Sequence, residues 1–151
     1  MKILTTLITV IALGPVSSPD FSAVKERLEG IWRSDRDKTM ESVSASSRMT
    51  ALRLKTLQQN LGHMALVFDD GYTAVMINDQ LSDFYAYQVE EYQDDKVKLS
   101  VGPMFNTVEA DYTFEGNCFY MQDIPFDYRE YFCKERQKLQ QIAGRTTASA
   151  L

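Results

Sequence analysis

Histidine occurs once in this chain, tryptophan once and cysteine twice. Two cysteines and one distant histidine fall short of the four ligands of a usual structural zinc site. His63 stands beside Gly62 with no serine or cysteine partner near it in sequence, so it reads as a structural residue at an element boundary. There is no glycine-rich phosphate loop, nucleophile elbow or His-Glu-x-x-His helix. Glu90 and Glu91 are adjacent, and adjacent strand residues face opposite ways, which excludes a carboxylate dyad there. Nothing in the residues points to an enzyme, a metal or a cofactor. A basic excess is missing as well: 16 Lys and Arg stand against 21 Asp and Glu, a net charge of −5. A nucleic-acid partner, which leaves a basic footprint, is not expected. No apolar run reaches the ~20 residues of a helical membrane span.

What is present fits one globular domain. Of 151 residues, 44% are apolar and 25% charged, an ordinary balance for a folded protein. The acids are concentrated, with thirteen Asp and Glu and only two Lys between His63 and Asp127. Asp69, Asp70, Asp79, Asp94 and Asp95 fall in expected turns, where aspartate bonds its own backbone. No segment has the alternating acids and closing glutamate of an EF-hand loop. Solvated turns account for the acids better than a calcium site does, and an acidic rim would still steer a cationic partner.

Residues 1–18 read as a secretory signal peptide. Lys2 supplies the positive start, Ile3–Leu13 the apolar stretch, and Val16, Ser17 and Ser18 the small residues before a cut. Cleavage is expected after Ser18, with Gly14 and Ser17 as alternatives because Pro19 follows Ser18. Export to a secreted or periplasmic location agrees with a cysteine pair, Cys118 and Cys133, which an oxidising compartment joins as a disulfide.

The remaining chain divides by periodicity. Phe21–Leu28 reads as a short helix, and Gly30-Ile31-Trp32 starts a strand. Asp35–Leu61 is helical, with Ser46 or Ser47 as a cap and Gly62 as the stop. From His63 the period becomes two: His63–Phe68, Tyr72–Ile77, Phe84–Val89, Val97–Val101, Thr107–Phe114, Cys118–Gln122 and Tyr128–Cys133 are expected strands. Their connections are too short for βαβ crossovers. The expected fold is mostly β, a small antiparallel up-and-down barrel or strongly curled sheet with a helical insert between the first and second strands. One domain is expected over residues 19–143, with 144–151 as a flexible tail.

Gly30-Ile31-Trp32, a Gly-x-Trp after a short helix, resembles the opening of the first strand in the lipocalin and calycin barrels. The resemblance implies that Gly30 bends the strand into the barrel and that Trp32 plugs its floor. It also implies an arginine from the barrel's end over the indole, Arg129 or Arg136 in this chain. Ala110-Asp111-Tyr112 resembles the family's second short motif without its leading threonine. The helix between the first two strands departs from the family, whose main helix follows the barrel; Gln137–Ile142 is a short counterpart of it.

Aromatics gather in the strands, and Tyr85, Tyr87, Tyr112 and Phe114 are the candidate ligand-binding residues. They either line a pocket for a small apolar or amphipathic molecule or fill a narrow barrel outright. The first case makes the protein an exported, non-enzymatic binding protein. The second makes it a protein-interaction module, such as an inhibitor or envelope-assembly factor. An enzyme ranks third.

Overall fold

The computed structural model describes residues 20–103 and 106–135. The expected signal sequence, Arg136, the late helix at 137–142 and the tail lie outside those residues.

Helix α1 (Ser22–Leu28) leads into β1 (Gly30–Ser34), after which α2 (Arg36–Ser44) and α3 (Ala51–Asn60) leave the sheet. The chain returns through β2 (Met64–Asp69), β3 (Tyr72–Ile77), β4 (Gln80–Leu81), β5 (Tyr85–Gln93), β6 (Lys96–Val101), β7 (Val108–Glu115), β8 (Cys118–Asp123) and β9 (Tyr128–Lys134). All pairings are antiparallel. The sheet runs β2-β1-β9-β8-β7-β6-β5-β3, and a further β2–β3 pairing joins its ends, while β4 is a two-residue extension on β3. The result is a closed, eight-stranded, lipocalin-like barrel with a helical insert between its first two long strands.

Turn chemistry sets the meander. Asp70-Gly71, Asn78-Asp79 and Asp94-Asp95 all have positive φ at both positions, the backbone that two-residue hairpins of right-handed twist require. The expected helical stretch is two helices. Asp35 caps α2 by accepting from the Lys38 N–H at 2.9 Å, and Thr50, not Ser46 or Ser47, caps α3 by accepting from the Arg53 N–H at 3.2 Å. Ser46 instead donates to the carbonyl of Phe126.

The seams differ in length. β2 and β3 share six register pairs, whereas β3 and β5 share two, Tyr72–Ala86 and Thr73–Tyr85. β1 and β9 share three, from Trp32–Lys134 to Ser34–Phe132. Beyond Ser34, β1 leaves the sheet and α2 takes its place along β9. The Tyr131 N–H donates to Thr39 Oγ1 at 3.0 Å, the Arg129 N–H to Ser42 Oγ at 2.8 Å, and the Asp35 N–H to the Tyr131 carbonyl at 2.8 Å. Two hydroxyls on one helix face thus satisfy donors that a strand would otherwise have met. On the outer face, Cys118 and Cys133 are register partners of β8 and β9 and their sulfurs lie at bonding distance, 2.02 Å.

Candidate ligand-binding site at the barrel mouth

Residues directly opposite one another in an antiparallel pair share a face. Trp32 is opposite both Leu66 and Lys134; Phe132 is opposite Phe119 and Ser34; Met121 is opposite Glu130. From these pairs the inner face follows around the barrel, and it divides into two halves.

The half nearest α1 is sealed. Trp32, Phe68, Tyr87, Leu99, Tyr112, Phe114, Phe119 and Phe132 are buried, and Val24 and Leu28 of α1 join the same cluster. Ring centroids lie 4.7 Å apart for Trp32–Phe119 and for Tyr112–Phe119, and 5.6 Å apart for Phe119–Phe132. The indole Nε1 donates to the Leu28 carbonyl at 2.6 Å, tying the floor to the helix beneath it. Arg27 lies over Phe114 at 3.9 Å and bonds Asp95 Oδ1 at 2.6 Å, fixing α1 to the β5–β6 turn.

The cation over Trp32 is Lys134, not Arg129. Lys134 Nζ stands 5.2 Å from the indole ring and donates to the Arg27 carbonyl at 3.0 Å. Burial holds its ammonium below the usual lysine value. Gly30, at φ +127°, leaves room for this side chain: a Cβ there would meet Lys134 Cε at 3.0 Å. Arg129 is one of the outward residues of β9 and stacks on Tyr120 at 4.5 Å. Strand alternation decides the matter, since residues 130, 132 and 134 point in and 129, 131 and 133 point out.

The opposite half is less completely buried among the described residues. Met64, Leu66, Val101, Ala110 and Met121 pack on the core from above yet keep part of their surface accessible. At the rim Ile77, Tyr85 and Val108 are 51%, 48% and 66% exposed. Helices α2 and α3 stand over one side of this mouth, where Val43, Leu57 and Leu61 form a separate cluster with Tyr128. Along β9, Phe132 belongs to the barrel core and Tyr128 to the helical cluster, and Glu130 lies between them.

Two polar residues of the inner face lie at this level, Glu130 partly accessible and Ser34 buried. Glu130 is half-buried, and its carboxyl is pushed above the usual value by burial, with Arg53 opposing the shift and Asp123 adding to it. Ser34 is 5% exposed, and its Oγ has no hydrogen-bond partner among the described residues. Arg53 itself is engaged, bonding Asp123 Oδ2 at 2.8 Å and the Tyr128 hydroxyl at 3.0 Å.

Of the four candidate ligand residues, all face inward but at different levels. Phe114 and Tyr112 belong to the sealed half; burial pushes the Tyr112 phenol up to about 12. Tyr87 packs edge-on against Phe68 at 5.4 Å, also with a phenol raised to about 12, first by burial and then by Glu29 and Asp70. Tyr85 alone stands at the mouth. Glu130 and Ser34 escaped sequence reasoning; counting back by two from the inward Phe132 is the signal that finds Glu130.

Grooves on the outside of the barrel are of another kind. One of about 640 Å³ crosses β5, β6 and β7 and is lined by Gln88, Glu90, Lys98, Ser100 and Glu109, alternating charges of a solvated sheet face. Another, about 560 Å³, runs between α2 and the β8–β9 hairpin past Lys38, Ser42 and Arg129.

No protein-family model, curated protein or solved structure matches this chain. Its class is set by the barrel itself, a small closed lipocalin-like fold with one sealed end and one accessible end.

Proposed function

We propose that the protein is an exported, non-enzymatic binding protein that takes a small apolar or amphipathic molecule into the mouth of its barrel. One observation carries this reading: inward-facing apolar side chains are buried at the α1 end and remain accessible at the other. A concave surface that is mostly apolar with a few polar groups is what small-molecule sites share. Tyr85 contributes from the rim, while Tyr87, Tyr112 and Phe114 support the floor. Export is supported by the signal-like residues 1–18 and by the Cys118–Cys133 pair. Among the described residues no helix is long and apolar enough to cross a membrane.

Titration with the fluorescent apolar probe N-phenyl-1-naphthylamine tests the reading. Saturable one-to-one binding is expected, and Ala110→Trp, which places an indole in the mouth, is expected to abolish it. Non-saturable binding, or binding indifferent to Ala110→Trp, overturns the proposal. The dense aromatic filling of the α1 half would then favour the second reading, a barrel that acts on a protein partner through its surface.

A further inference from the structure

We propose that the occupant of the mouth is a cationic amphiphile, an amine on an apolar chain or ring, whose ammonium sits against Glu130 while its apolar part lies on Leu66, Val101, Ala110 and Met121. This rests on reading the mouth as a binding site and names the chemistry that site selects.

The charges around the mouth leave one carboxylate over. Arg53 and Asp123 face each other at 2.8 Å and cancel. Lys134, the cation on the inner face of β9, stands at the sealed end, with Phe132 between it and Glu130, and is bound to the Arg27 carbonyl. Among the described residues no cation lies within ion-pair distance of Glu130. A half-buried carboxylate opposite Met121 has lost solvation and gained no ion pair, and the Arg53 charge that offsets part of this loss is shared with Asp123. An ammonium restores what was lost, because it brings charge and three donors to the same place.

Ser34 is the neighbouring polar residue on the inner face. It is opposite Phe132 across the β1–β9 seam, so it and Glu130 are diagonal neighbours on the inner face. Its hydroxyl is buried and unpartnered among the described residues, so it adds an unmet polar atom beside Glu130 below the accessible surface. The same geometry rejects anions, since a ligand carboxylate would meet Glu130 as a like charge. A neutral head group gains the apolar contacts and nothing from Glu130.

Calorimetric titration with decylamine, decanol and decanoate, each below its aggregation concentration near neutral pH, tests this. Decylamine is expected to bind about tenfold or more tightly than decanol, as a charge-assisted hydrogen bond would give. Decanoate is expected to bind weakest. Glu130→Gln keeps the side chain's shape and relieves a desolvated charge, so it should fold; it is expected to bring decylamine to the affinity of decanol and leave decanol unchanged. Equal binding of amine and alcohol, or an amine preference that survives Glu130→Gln, overturns this inference. If decanol still binds and loses its site in Ala110→Trp, the mouth remains the binding site. Failure of all three probes to bind overturns both.

Discussion

Thr39 on α2 accepts a hydrogen bond from the backbone N–H of Tyr131 at 3.0 Å, at the point where β1 has turned away from β9. This contact lets a barrel tolerate a long helical excursion between its first and second long strands. The hydroxyl is fully buried, so removing it orphans a strand donor.

Thr39→Val conserves shape and deletes only that acceptor. It is expected to destabilise the fold by about 1–3 kcal/mol, the cost of leaving a buried donor unmet. Denaturant unfolding checks the magnitude, and faster hydrogen exchange at the Tyr131 amide checks the cause. Unchanged exchange would mean that α2 does not protect this edge.

Trp32→Ala is expected to cost about 3–5 kcal/mol, because the indole is 2% exposed and packs against Phe119 and Phe114. Chemical denaturation measures it. A loss under about 1 kcal/mol is the size seen at surface positions and would remove Trp32 from the floor.

Thiol titration of the oxidised protein is expected to find no free thiol. The Cys118–Cys133 pair spans 15 residues, and Cys118→Ala/Cys133→Ala together should lower stability by about 3 kcal/mol in the chain-entropy picture. Two reactive thiols would sink the bridge.

Much of the barrel was legible because its strands are wetted on one face. Val108, Ala110, Tyr112 and Phe114 alternate with Glu109, Asp111 and Thr113, and the structure turns the first set inward. β9 hid its orientation for the opposite reason. Phe132 packs inward and Tyr131 outward beneath α2, so both faces are buried and the alternation disappears. With the alternation hidden, nothing in the sequence contradicted Arg129, one of the two arginines that the lipocalin resemblance implies over Trp32. The α2–α3 break was ambiguous locally, since Ser46, Ser47 and Thr50 are all cap-forming residues and only packing selects Thr50.

Glu130 also sets a pH dependence. Burial, the largest influence, raises its carboxyl above the unfolded value. The folded protein therefore holds a proton that the unfolded chain has released. Through this group stability falls as pH rises from the unfolded carboxylate value through the folded one. Glu130→Gln removes that slope. Its melting temperature is expected to exceed that of the parent near pH 7, with the gap narrowing as pH falls through the raised folded value and constant below about 4, where the residue is protonated in both states. A variant less stable than the parent near pH 7 would show that Arg53 compensates Glu130 after all.

The β1–β9 seam has a meaning for how the chain becomes a barrel. Most seams join strands that follow one another closely, but Arg33 meets Glu135 across 102 residues of chain. Loop-closure entropy is thus gathered at a single three-rung join between the first and last strands. Until Lys134 has been made, the meander has two loose edges and no inside, and the mouth exists only once the two ends of the domain have met.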